Sequence, residues 1–140
     1  MHVFAQLQEM ESDLLIKRLM ASTFSKKKAK TILVVDDEAG TRGLISLILR
    51  QGGYSVLEAA DCETAESIHR RHQGEIDLVL TDLSLPGAGG GDLAATIKEA
   101  DPNLPVLFMS GLPEPEQLAP FLRKPFGVAE LLHHVKTSVE

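Results

Sequence analysis

Apolar residues in this chain follow two alternating rhythms from residue 31 onward. Ile32-Leu33-Val34-Val35 is a short unbroken apolar run, stopped by Asp36-Asp37-Glu38. A run of that length without polar alternation predicts a strand buried on both faces, as in a parallel sheet. Leu44, Ile45, Ile48 and Leu49 then recur at helical spacing until Gly52-Gly53 stops the helix. Residues 54–59 predict a second strand, less apolar and therefore at an edge. Asp61 is placed as the N-cap of a helix running to about His72. Residues 76–81 predict a third strand that runs into Asp82, followed by a Gly-rich loop and a helix over 93–100. Residues 105–109 form a fourth strand ending at Ser110, 121–123 a short fifth, and 128–139 a closing amphipathic helix. This order predicts an α/β fold: a doubly wound parallel sheet with right-handed crossovers and helices on both faces.

In such a sheet, ligands sit outside the carboxyl ends of the strands, where the strand order reverses. The residues just past the predicted strands are Asp36-Asp37, Asp82, Ser110 and Lys124. Any one of these carboxylates alone reads as a strand end or a helix cap. Three carboxylates, a hydroxyl and an ammonium on one edge call for chemistry. Clustered carboxylates repel one another unless a cation sits among them. Hard oxygen ligands in this number suit Mg2+, which takes one or two protein carboxylates together with waters and phosphate oxygens. A carboxylate can also act as a nucleophile toward phosphorus, and phosphoryl transfer needs the charge neutralisation that a metal and a lysine supply.

Charge and composition narrow the classes. The 140 residues carry a net charge of -6, but the first 30 hold six Lys/Arg against three Asp/Glu, so the body is strongly acidic. An acidic body disfavours direct nucleic-acid binding, and the cluster Lys26, Lys27, Lys28, Lys30 reads as a solvated linker. A single cysteine, Cys62, rules out an internal disulfide and points to the cytoplasm. No apolar run is long enough to span a membrane, and Gln6, Gln8, Glu9 and Glu11 interrupt any signal-peptide core. His69, His72, His133 and His134 are assigned to solvated helix faces, and Gly89-Gly90-Gly91 to a flexible loop beside Asp82 rather than a phosphate-binding fingerprint.

The motifs Val35-Asp36-Asp37-Glu38, Leu80-Thr81-Asp82-Leu83, Met109-Ser110-Gly111 and Lys124-Pro125-Phe126, with Pro86 and Gly90, resemble those of the two-component response-regulator receiver domain. The resemblance covers residues 31–139. It implies a (βα)5 flavodoxin-like sheet of order 2-1-3-4-5, with Asp82 accepting a phosphoryl group from a histidine kinase or histidine phosphotransfer protein. It further implies Mg2+ held by Asp37, Asp82 and the backbone carbonyl of Ser84, with Asp36 helping through water. Lys124 would pair with the phosphoryl group, and the Lys124-Pro125 bond would be cis. Ser110 would turn toward the phosphoryl oxygens while Phe121 rotates inward, coupling modification to an unidentified downstream protein target. The protein would then be a signalling phosphoacceptor rather than an enzyme acting on other substrates.

Two features depart from the family pattern. Thirteen residues, 111–123, separate Ser110 from Lys124, and Pro113, Pro115 and Pro120 punctuate them. Proline is tolerated only in the first turn of a helix, so the fourth helix is expected to be short or absent, baring apolar surface near Phe108 and Phe121. Upstream, Val3, Leu7, Met10 and Leu14 form one apolar stripe, predicting a helix over residues 3–15. Residues 1–30 are accordingly assigned to an amphipathic helix and basic linker, and 31–140 to the receiver domain. The helix is expected to pack near Phe108 and Phe121 of its own or a second copy, or else to be a plain extension. A homodimer could form through it or through the groove left by the short fourth helix. With no segment after Glu140, a stand-alone receiver or one cut from a hybrid kinase is expected. Two other classes stay open: a Mg2+-dependent phosphohydrolase of the haloacid-dehalogenase type, whose Asp-x-Asp motif and cap domain this chain lacks, and a pseudo-receiver that never turns over phosphate.

Overall fold

The computed structural model describes residues 13–16, 28–111 and 121–140. Five strands, β1 (Thr31–Val35), β2 (Ser55–Ala59), β3 (Leu78–Asp82), β4 (Val106–Ser110) and β5 (Phe121–Arg123), form one sheet. All neighbours are parallel, in the order β2-β1-β3-β4-β5. The helices are α1 (Ala39–Gln51), α2 (Cys62–Arg71), α3 (Gly90–Ala100) and α4 (Val128–Val139). The strand order reverses at β1 and β3, which places their carboxyl ends beside the crevice.

Alternation along each strand divides the core into two layers. Leu33, Val35, Val79, Val106 and Phe108 face Ala65 and Ile68 of α2 and Leu93 and Ile97 of α3. Ile32, Val34, Leu78, Leu80, Leu107 and Met109 face Ile45 and Leu49 of α1 and Leu131 and Val135 of α4. The central strands β1, β3 and β4 are buried almost throughout, whereas β2 and β5 are not, as their positions at the sheet edges require. Asp61 caps α2 by accepting the Thr64 amide at 2.7 Å, a bond that holds its carboxyl below the ordinary aspartate range.

Several sequence expectations change. Strand β3 starts at Leu78 rather than Ile76; Asp77, just before it, is tied to β1 twice, its amide donating to the Thr31 carbonyl and its carboxylate accepting the Thr31 amide, both at 2.8 Å. Helix α3 begins at Gly90, three residues early, so Gly90 and Gly91 belong to a first helical turn rather than a flexible loop. A Cβ on Gly90 would lie 2.2 Å from the Asp82 carbonyl oxygen, so only glycine lets the helix start this close to β3. Leu44 is 58% exposed, and the buried stripe of α1 is instead Ile45, Ser46 and Leu49. His69 is buried, with Nε2 3.8 Å from the Asp101 carboxylate, whereas His72 stays on the surface beside Glu75. Phe108, expected to be bared, is 6% exposed and packs in the layer beneath α2 and α3.

The expected short fourth helix, with Pro113, Pro115 and Pro120, and the expected helix over residues 3–15 lie outside the described residues except for 13–16. Those four are helical, and Leu14 and Leu15 are exposed. No helix among the described residues is long and apolar enough to cross a membrane.

Candidate functional site

The carboxyl ends of β1, β3 and β4 and the turn after β5 bring five sequence-predicted groups to one edge. Strand β1 ends at Val35, so Asp36 emerges directly from the sheet, and its amide still donates to Ala59 at 3.1 Å. Its carboxylate is almost fully buried. Oδ1 accepts the Glu38 amide at 2.9 Å, and Oδ2 accepts Lys124 Nζ at 2.9 Å. Asp37, the next residue, is exposed. Asp82 closes β3 in register with Met109 of β4, which sets Ser110 one residue beyond it, also buried.

Lys124 bridges two of the acids. Its Nζ lies 3.1 Å from Asp82 Oδ2 as well as 2.9 Å from Asp36 Oδ2. Its backbone amide donates to the Ser110 carbonyl at 2.8 Å, and the Lys124-Pro125 peptide is cis, as expected. Burial alone would lower the lysine pKa, but hydrogen bonds to Asp36 and Asp82 and the charges of both raise it above the ordinary value. The ammonium is therefore held protonated.

Carboxylate oxygens of Asp36, Asp37 and Asp82 all lie within 4.8 Å of one another, the one such group of potential metal ligands among the described residues. Their hard oxygen donors fit Mg2+ rather than a softer ion. Ser84 follows Asp82 closely, and its amide donates to Asp82 Oδ1 at 3.3 Å. Phe121 pairs in register with Phe108 and packs, partly buried, against the same core layer. Asp36, Asp37, Asp82, Ser110 and Lys124 thus meet at one edge, and none of the four histidines belongs to the carboxylate cluster.

Two contributors escaped the sequence reading. Cys62, used there only to judge the compartment, directs its Sγ at the Ala88 carbonyl at 2.9 Å and holds the loop before α3. Burial, then the neighbouring Glu66, Asp92 and Asp61, push its thiol pKa up, so it is poorly suited to act as a nucleophile. Arg42, in the first turn of α1, donates from a terminal guanidinium nitrogen to the Asp36 carbonyl at 2.7 Å.

Residues 32–136 match the response regulator receiver domain. The chain belongs to the response regulator receiver family. It is 34% identical over 119 residues to the alkaline phosphatase synthesis transcriptional regulatory protein SphR of Synechococcus elongatus, covering 74% of this chain and 46% of SphR. It is 32% identical over 117 residues to the phosphate regulon transcriptional regulatory protein PhoB of Pseudomonas aeruginosa, covering 76% and 50%. Among solved structures, the receiver domain of the hybrid histidine kinase CckA superposes with a TM-score of 0.72 at 37% identity, over 79% of this chain and 99% of that one. The receiver thus spans about half the length, or less, of the regulators it matches. Receiver domains are signalling phosphoacceptors that work with histidine kinases and phosphotransfer proteins, and they generally bind Mg2+ at an acidic pocket.

Proposed function

We propose that this receiver takes a phosphoryl group onto Asp82 from a phosphohistidine of a histidine kinase or histidine phosphotransfer protein. The observation that carries this reading is the bridge from Lys124 Nζ to both Asp36 and Asp82 at the mouth of the crevice. A carboxylate oxygen of Asp82 attacks phosphorus, the phosphorus–nitrogen bond to the donor imidazole breaks, and the bonding electron pair leaves with the imidazole. Asp37, Asp82 and the Ser84 carbonyl, with Asp36 helping through water, would hold Mg2+, which would supply positive charge to the phosphoryl oxygens. Lys124 then exchanges its contact with Asp82 for a phosphoryl oxygen. Ser110 donates its hydroxyl to another, and Phe121 moves inward.

That rearrangement is a population shift between two packings, so phosphorylation need favour one by only a few kcal/mol. In this reading residues 31–140 form the receiver, acting in the cytoplasm on a downstream protein without contacting nucleic acid. Family membership sets aside the haloacid-dehalogenase reading. The contacts of Lys124 favour an active receiver over a pseudo-receiver. Acetyl phosphate with Mg2+ tests the assignment: intact mass should show one added phosphoryl group, labile to hydroxylamine, absent from Asp82→Asn. An Asp82→Asn protein labelled as fully as wild type would overturn it.

A further inference from the structure

We infer that Arg42 is a positioning residue for the acidic cluster, fixing the peptide that joins Asp36 to Asp37 while itself anchored on Glu58 of the edge strand β2. The inference rests on the reading of that cluster as a cation site. One terminal nitrogen of Arg42 donates to the Asp36 carbonyl at 2.7 Å. Its Nε lies 3.3 Å from Glu58 Oε1, and Glu58 is held from the other side by Arg50 at 3.5 Å. The guanidinium thus spans from Glu58, in register with Val34 of β1, to the carbonyl two residues further along. Only a planar fork with several fixed donors can hold both ends at once.

The location makes the role specific. Arg42 sits in the first turn of α1, where a cation opposes the helix dipole and where no acidic residue is present. It also lies beside a cluster that would bind a cation. The helix dipole disfavours a cation there, while Glu58 and the carboxylate cluster attract one, so the sign of its effect on Mg2+ separates charge from its hydrogen-bonded contacts. With the Asp36 carboxylate fixed by Glu38 and Lys124 and its amide by Ala59, the Arg42 bond occupies the carbonyl as well. The peptide plane that sets the direction of Asp37 is then held on its acceptor side.

Charge and positioning predict opposite signs for Mg2+ affinity. Removing a nearby cation would tighten binding if charge were the only effect. Loss of a partner that orients metal ligands weakens it, on the order of 10-fold. Calorimetric titration of metal-free protein with MgCl2 should therefore show Arg42→Gln weakened about 10-fold. Arg42→Lys, which keeps the charge but reaches only one partner, should be weakened by a smaller factor. Arg42→Gln binding as tightly as wild type or tighter, with Arg42→Lys unchanged, would overturn the inference. Arg42→Lys decides alone if the Gln variant does not fold. A wild type that binds no Mg2+ would overturn the site reading itself, a result distinct from one in which only the variants fail to differ.

Discussion

Carboxylates stand at both ends of this parallel sheet, and the fold treats them in opposite ways. Where the strands begin, Asp77 accepts the Thr31 amide at 2.8 Å and fastens β3 to β1. Where the strands end, Asp36, Asp37 and Asp82 crowd within 4.8 Å, and Lys124 bridges only Asp36 and Asp82. Among the described residues no ion pair reaches Asp37. The first arrangement is satisfied by folding alone. The second leaves negative charge uncompensated at a crevice, a local conflict of the kind that marks functional sites. Residue type does not separate the two ends; the donors around each carboxylate do.

The strongest way to break this contrast is to remove the exposed acid. Asp37→Ala should weaken Mg2+ by more than the roughly 10–100-fold that losing a hydrogen-bond partner of a metal ligand costs. Because the substitution also relieves repulsion, the metal-free melting temperature should not fall. Titration calorimetry and thermal melting of the same sample check both halves. Next comes Gly90→Ala. Its Cβ would meet the Asp82 carbonyl at 2.2 Å, so α3 must move away, costing about 3 kcal/mol in a urea unfolding curve.

Asp77→Ala is the mirror of Asp37→Ala. It should cost about 1–2 kcal/mol of stability by leaving the Thr31 amide without its acceptor, while Mg2+ affinity is unchanged. The smallest effect is a pH dependence. The Lys124 pKa is raised above its ordinary 10.5, chiefly against the opposing effect of burial by its bonds to Asp36 and Asp82. Its contribution to stability is therefore complete below pH 10.5 and is lost as pH rises through the higher folded value. Melting temperature should decline more steeply above pH 10.5 in wild type than in Lys124→Met.

Those predictions rest partly on features that the sequence carried openly and partly on features it concealed. An unbroken apolar run ending in acids made β1 legible, lower apolarity placed β2 at an edge, and helical spacing marked α4, so the convergence on Asp82 and Lys124 was legible too. Gly90 misled because a glycine run has no periodicity, and only the proximity of the Asp82 carbonyl shows that it opens a helix. Leu44 misled because it neighbours the true stripe of Ile45 and Leu49, and a single turn of pattern does not fix the helix rotation. Arg42 carried no signal at all: its partners, Asp36 just past β1 and Glu58 on β2, are brought together only after the sheet has formed.

The strand-end cluster, and Asp82 within it, is the reactive set of carboxylates in this proposal. Fragment mass spectrometry after treatment with acetyl phosphate and Mg2+ tests it most directly, because Asp77, Asp82 and the Asp36-Asp37 pair can be separated by cleavage and backbone fragmentation. The phosphoryl group should be found on Asp82 alone. Its recovery on Asp77, or on Asp36 or Asp37 with Asp82 unmodified, would contradict it.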